Sequence, residues 1–305
     1  MSDNSDADGA TTSPNPLARL LEGMPVTERR LDLAGVSTQL LEGGDGPPIV
    51  LLHGLGGFGA EWGRVIPHLV GGHGIVVPDL PGHGRSGVPA DRLDAGAVVA
   101  WLHDLIAQTC AEPPTLVGHS MGGGIAARFA AEHGDQVRRI VLVDSTSLGR
   151  FRPALGVIVA IMRFGAHPSP PNHDRFLRQV MFDPERAGAE WGARWGAFEE
   201  YDIALAKQPS VSTANGQLAR RIGARRIPPD ELRRIGAPVG LIWGRGDRLV
   251  RFRIAEKAGA RFRWPLYPID DCGHGPHIER PNAFLEALRA AMDADRERPT
   301  SGSHA

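Results

Sequence analysis

The segment Gly118-His119-Ser120-Met121-Gly122 sets a serine between two glycines at Gly-x-Ser-x-Gly spacing. A serine hydroxyl is a weak nucleophile. It attacks a carbonyl only when a histidine, itself oriented by a carboxylate, removes its proton. With 39 glycines in the chain the pattern alone is weak, and a glycine-rich turn with a capping serine would also satisfy it. Its surroundings add weight. Thr115-Leu116-Val117 reads as a short strand before it, and Met121 to His133 as a helix after it. A sharp strand-to-helix turn then raises Ser120 at the C-terminal edge of a sheet, and glycines at 118 and 122 avoid collision where strand and helix cross. For such a turn the expected chain order is serine, then acid, then histidine. Two downstream loops supply candidates: Gly244-Arg245-Gly246-Asp247 and Asp271-Cys272-Gly273-His274-Gly275. Asp144, directly after Val143, is an alternative acid, but Asp247 fits its motif better.

The elements that must hold these groups alternate between β-branched runs and helical patterns, which predicts a parallel sheet with helices on both faces. Thr27–Leu33 and Val36–Glu42 read as a hairpin about Ala34-Gly35, and Ile49–Leu52 and Ile75–Val77 as apolar strands. Leu93–Cys110 reads as a helix, with Val98, Leu102, Leu105 and Ile106 on one face. Ile140–Val143, Val239–Trp243 and Leu266–Ile269 are further strands, and a last helix runs from Pro281 to about Met292. All the candidate groups then follow strand ends on one sheet edge, where ligands gather in open α/β sheets. From about Leu148 to Asp230 no strand signal appears, which predicts a helical cap between two strands. The expected organisation is a tail over 1–16, core over 17–147, cap over 148–230, core over 231–295 and a tail over 296–305.

At 305 residues, 42% hydrophobic and 23% charged, the chain has the composition of a soluble globular protein. No apolar run is long enough for a membrane span. A net charge of −1 gives no global field for nucleic acid or an anionic membrane. Cys110 and Cys272 are too few for a disulfide scaffold or a zinc ribbon. The polar first sixteen residues lack the apolar centre of a signal peptide, so the expected location is cytoplasmic.

Five motifs in order make the chain resemble the serine hydrolases of the α/β-hydrolase fold over about Val26 to Met292. They are His53-Gly54-Leu55-Gly56-Gly57, Asp79-Leu80-Pro81-Gly82-His83-Gly84-Arg85-Ser86, the Ser120 turn, Gly244-Arg245-Gly246-Asp247, and Gly273-His274-Gly275-Pro276-His277-Ile278-Glu279-Arg280-Pro281. The resemblance implies that fold: a mostly parallel central sheet, helices on both faces and an inserted helical cap. It implies Ser120 as nucleophile, Asp247 as acid and His274 as base, with the backbone N–H groups of Leu55 and Met121 forming the oxyanion hole. The implied activity is hydrolysis of small to medium apolar acyl esters through an acyl-enzyme, with no cofactor or metal and no nucleic-acid partner. Dehalogenases and epoxide hydrolases of this fold place aspartate where Ser120 stands. Carbon–carbon hydrolases use serine but tend to carry an aromatic residue where this chain has Gly275. Cofactor-free haloperoxidases share the triad.

Other motifs have competing readings. Gly54-x-Gly56-x-x-Gly59 with Asp79 resembles a dinucleotide fingerprint, but it follows a hairpin and leaves Ser120, Asp247 and His274 unexplained. Cys272-x-His274-x-x-His277 lacks a usual zinc spacing. His53, His83 and His119 are read as turn-fixing. Trp191, Trp195 and Phe198 fall on one helix face, which either packs on the core or contacts substrate. The arginine pairs 220–221, 225–226 and 233–234 read as a solvated face.

Overall fold

A computed structural model describes residues 15–89 and 93–294 of the chain. The strands are β1 (Thr27–Leu33), β2 (Val36–Gly43), β3 (Pro48–Leu52), β4 (Gly74–Pro78), β5 (Thr115–His119), β6 (Arg139–Val143), β7 (Val239–Gly244) and β8 (Leu266–Ile269). They form one eight-stranded sheet in the order β1-β2-β4-β3-β5-β6-β7-β8. β2 runs antiparallel to β1 and to β4, and the remaining pairs are parallel. The hairpin turns at Ala34-Gly35, both at positive φ (45° and 77°), the backbone that matches strand twist in a two-residue loop. β1 and β8 are the edge strands, and β1 is the charged one. It exposes Thr27, Glu28, Arg29 and Arg30, charges that discourage pairing with another chain.

The helices are α1 (Pro16–Leu21), α2 (Ile66–Leu69), α3 (Ala95–Thr109), α4 (Met121–Glu132), α5 (Leu155–Ala166), α6 (Pro170–Val180), α7 (Pro184–Trp191), α8 (Arg194–Ala206), α9 (Pro209–Leu218), α10 (Pro229–Leu232), α11 (Arg253–Phe262), α12 (Pro276–Glu279) and α13 (Pro281–Asp293). The parallel strands are apolar at successive positions because both their faces are covered. Val50, Leu52, Leu116, Ile140 and Leu142 face a core shared with α3 and α4. Their neighbours Ile49, Leu51, Val117, Val141 and Val143 face the other core, shared with α13 and the 3-10 turn Gly59–Arg64. This is the two-residue period of a strand. Asp94 caps α3 by accepting a hydrogen bond from the Ala97 amide, so the helix starts two residues after the expected Leu93.

Between β6 and β7 the described chain runs through α5 to α10 with no strand. One expectation needs correction. Asn15 and Pro16, assigned to a tail, open α1: the Asn15 side chain accepts the Leu17 amide, and Leu17 and Leu20 are buried. Residues 1–14 and 296–305, the rest of both expected tails, lie outside the described residues, as does residue 295 at the end of the expected core. No described helix is long and apolar enough to cross a membrane.

Candidate active site

The parallel strands end on a common edge, and each end carries one piece of the site. His53-Gly54-Leu55 follows β3, Ser120 follows β5, Asp144 follows β6, Asp247 follows β7 and His274 follows β8. Ser120 sits at φ 51°, ψ −113°, between β5 and α4. This is a strained backbone for a non-glycine residue. It is held by the Ser120 amide donating to Val143 O at 2.8 Å and by Ser120 O accepting from Thr146 N at 3.0 Å. The flanking glycines are sterically required. A Cβ on Gly118 would meet the Gly122 carbonyl at 2.5 Å, and one on Gly122 would meet Leu52 O at 2.5 Å.

The structure brings Ser120, Asp247 and His274 together. His274 Nε2 lies 2.9 Å from Ser120 Oγ, and His274 Nδ1 lies 2.7 Å from Asp247 Oδ2. The three are 5–7% exposed. The other Asp247 oxygen accepts the Leu249 and Val250 amides at 2.7 and 2.9 Å, which fixes the carboxylate before it meets the imidazole. Asp144 Oδ1 accepts the Gly244 amide at 3.1 Å. An oxygen of Asp144 also lies within 4.8 Å of ligand atoms of Asp247 and His274. Burial, and then the charge of Asp247, push the Asp144 carboxyl well above the usual range.

Met121 begins α4, where the helix offers its N–H no carbonyl partner. Leu55 follows Gly54, whose added Cβ would come within 3.2 Å of Ser120 Cβ, and its own side chain is 41% exposed. His53 Nδ1 donates to Gly54 O at 2.7 Å while its Nε2 accepts the Leu80 amide at 2.9 Å. Both ring nitrogens are thus spent on this loop. Asp79 accepts the Gly59 and Arg85 amides at 2.7 and 2.8 Å, so the carboxylate of the fingerprint-like motif serves its own loops.

Trp191, Trp195 and Phe198 do not share one helix face, because the chain breaks at Gly192: Trp191 ends α7, whereas Trp195 and Phe198 lie on α8. Their rings still gather into one aromatic face across the two helices, with centroids 5.2–6.2 Å apart. Phe198 lies 5.6 Å from Phe58, and the Trp191 indole donates to Ile278 O at 3.1 Å. Trp191 and Phe198 are each 5% exposed, in a cluster with Leu17, Leu20 and Ile278. Of the two roles open to this face, the visible contacts are those of packing.

Two buried carboxylates are not legible in the sequence as site groups. Glu279 accepts the amides of Phe182 (2.7 Å), Gly273 (3.1 Å) and Gly275 (3.2 Å). It clamps both sides of His274 and ties that loop to the helical segment. Glu61 lies 3.7 Å from His119 Nδ1 and 3.4 Å from His277 Nε2, while His119 Nε2 donates to His274 O at 2.6 Å. Burial opposes the Glu61 charge, but His119 and His277 more than offset it and hold the carboxyl well below the usual range. By donor type these three side chains could hold a divalent ion. No local spacing signals Glu61, His119 and His277 in sequence; only the fold brings them together.

Burial lowers His277 to about 4 and His83 to about 3, against 6.5 for a free imidazole. The folded state therefore binds fewer protons than the unfolded state below pH 6.5. The stability from keeping these rings neutral is present above that pH and is lost as pH falls toward 4 and 3. For His277 the loss is on the order of 3 kcal/mol. Asp79, Asp144 and Glu279, raised mainly by burial, act with the opposite sign. They are present in a variant and its parent alike, so a difference reports His277 together with the Glu61 charge it helps hold. In urea unfolding at pH 7 and pH 5, His277→Gln is expected to lose less stability between the two than the parent. Equal losses would remove His277 as the cause.

Residues 49–287 match the family model described as the alpha/beta hydrolase family. The chain is 29% identical over 280 residues to the 2-hydroxymuconate semialdehyde hydrolase of Pseudomonas sp. strain CF600, covering 88% of this chain and 94% of that one. It is 27% identical over 259 residues to the pimeloyl-[acyl-carrier protein] methyl ester esterase of Aeromonas hydrophila, covering 80% and 95%. The solved 2-hydroxy-6-oxo-6-phenylhexa-2,4-dienoate hydrolase of Rhodococcus sp. strain RHA1 superposes with a TM-score of 0.77 at 24% identity, covering 88% and 98%, a likeness of fold. With a mostly parallel eight-stranded sheet, helices on both faces and a family match over most of its length, this chain belongs to the alpha/beta hydrolase family.

Proposed function

We propose that this hydrolase cleaves carboxylic esters of small to medium apolar acyl groups through an acyl-enzyme on Ser120. The reading rests on the 2.9 Å contact between Ser120 Oγ and His274 Nε2. His274 takes the serine proton as Oγ attacks the carbonyl, and then hands it to the leaving alcohol. Asp247 holds the Nδ1–H tautomer and stabilises the imidazolium. The Leu55 and Met121 amides receive the developing oxyanion, and the loss of one such donor typically costs ~10²–10³ in rate. Water then repeats the cycle and frees the acid. The helices α5 to α10 serve as the cap. In this reading Trp191, Trp195 and Phe198 reach a substrate only through Phe58 and Ile278, against which they pack, so they set the position of the wall.

A series of p-nitrophenyl esters tests the substrate class. Each buried methylene is worth ~0.8 kcal/mol, so kcat/KM is expected to rise about fourfold per carbon from acetyl toward hexanoyl and then to fall. A decline that starts at acetyl would mean a small polar cleft and overturn the apolar reading. The relative that acts as a 2-hydroxymuconate semialdehyde hydrolase favours one second reading, carbon–carbon hydrolysis at the same serine. Cleavage of a vinylogous 1,5-diketone with no turnover of any ester would establish it instead.

A further inference from the structure

Helix α5 buries only Val157, Ala160 and Phe164. Its opposite side presents Leu155, Ile158, Val159 and Met162, at i, i+3, i+4 and i+7, with 75, 38, 55 and 69% of their surfaces exposed. A surface helix normally carries polar side chains on that stripe, and clustered exposed apolar residues mark an interaction site. From Ser145 to His173 the chain has no aspartate or glutamate, yet it carries Arg150, Arg152 and Arg163, all exposed. One flank of α5 meets α6 in a groove of about 240 Å³ lined by Val159, Arg163, Asn172, Arg175 and Arg178. Arg178 is ion-paired with Asp174 and Glu185. Arg163 and Arg175 donate instead to the neutral Asn172 Oδ1, each at 3.0 Å. Neither has a carboxylate partner among the described residues.

We propose that α5 docks on an anionic phospholipid surface. Leu155, Ile158, Val159 and Met162 enter the boundary between headgroups and acyl chains, and Arg163 and Arg175 take lipid phosphates at the groove. A twelve-residue helix is about 18 Å long, too short to span a bilayer but suited to lie in its interface. Charge chooses the occupant. A two-fold contact with a second copy would face each stripe and its arginines with the same stripe and arginines, whereas anionic lipid supplies the missing charge. The attraction is local, since the whole chain carries a net charge of −1. The proposal does not depend on which bond the active site cleaves.

Flotation of the full-length protein with vesicles tests it. Binding is expected with equal parts phosphatidylglycerol and phosphatidylcholine, and at least about tenfold weaker with phosphatidylcholine alone or in high salt. Met162→Glu and Val159→Glu are each expected to weaken binding about tenfold or more, and Arg163→Ala about fivefold. Near-UV circular dichroism and a thermal melt should match the parent in all three, which reports intact folds. Equal binding to both vesicle types overturns the proposal, as does parent-like flotation of both glutamate variants. Absence of flotation together with a dimer that Met162→Glu dissociates assigns the stripe to a second copy. Flotation that inorganic phosphate abolishes and both glutamate variants retain assigns the arginines to a free anion.

Discussion

Ser120→Ala is expected to lower kcat by on the order of 10⁴–10⁶ while leaving the fold intact. The size follows from what the side chain does in the proposed route. Without Oγ no acyl-enzyme forms, and what survives is binding and oxyanion stabilisation acting on water. The fold should survive because the turn is held by other groups. The Ser120 amide donates to Val143 O, and its carbonyl accepts from Thr146 N and Gly124 N. These bonds are backbone at residue 120, and the positive φ is already imposed there. A fluorophosphonate probe, read by intact-mass spectrometry, should add one adduct to the parent, mapping to Ser120, and none at a comparable rate to the variant. A thermal melt within a few degrees of the parent separates lost chemistry from lost structure. Labelling of Ser120→Ala at the parent rate would sink the assignment of the nucleophile.

How much of the molecule is legible in its sequence depends on the range of the interaction. The strands Ile49–Leu52, Ile140–Val143 and Val239–Trp243 announce themselves because a parallel strand covered on both faces must be apolar at every position. The Ser120 turn is local too: strand, glycine, serine, glycine and helix lie within a short stretch, and crossing sterics dictate the spacing. Asp247 and His274 can be named because each closes a strand on the same edge. Glu61 and Glu279 cannot. A buried carboxylate is tolerable only where amides or imidazoles converge on it. Those partners, His119 and His277 for one and Phe182, Gly273 and Gly275 for the other, come together only after folding. α1 escapes a sequence reading for a related reason. A helix of six residues has little stability of its own and exists here because Leu17 and Leu20 join the cluster around Phe58 and Phe198. The segment from 148 to 230 is legible as helical, but its apolar residues do not reveal which way they face. α5 is apolar on its buried and exposed sides alike, so periodicity cannot separate packing from docking.

Asp247→Asn is expected to lower kcat by ~10³–10⁴, whereas Asp144→Asn should stay within about tenfold of the parent. Both carboxyls are buried next to His274, so proximity alone does not choose between them. Their hydrogen bonds do. Asp247 Oδ1 is saturated by the Leu249 and Val250 amides, which leaves Oδ2 as the one acceptor for the Nδ1–H of His274. An asparagine amide in that place would donate to Nδ1 and force the proton onto Nε2, the nitrogen that must accept from Ser120. Asp144 is in a different state. Its burial, followed by the neighbouring Asp247 charge, pushes the carboxyl well above the usual range and so disfavours its charged form, which makes a neutral amide of the same shape a close replacement. In Asp144→Asn the new side-chain carbonyl can still accept the Gly244 amide, and the new NH₂ can face the Asp247 carboxylate. The backbone at 144, φ 41°, is one that asparagine tolerates better than most residues. The measurement is kcat for both variants on one ester, with the fold checked by near-UV circular dichroism. The larger loss in Asp144→Asn, with Asp247→Asn nearly silent, would exchange the two roles. It would also require His274 to turn its Nδ1 away from the 2.7 Å contact with Asp247.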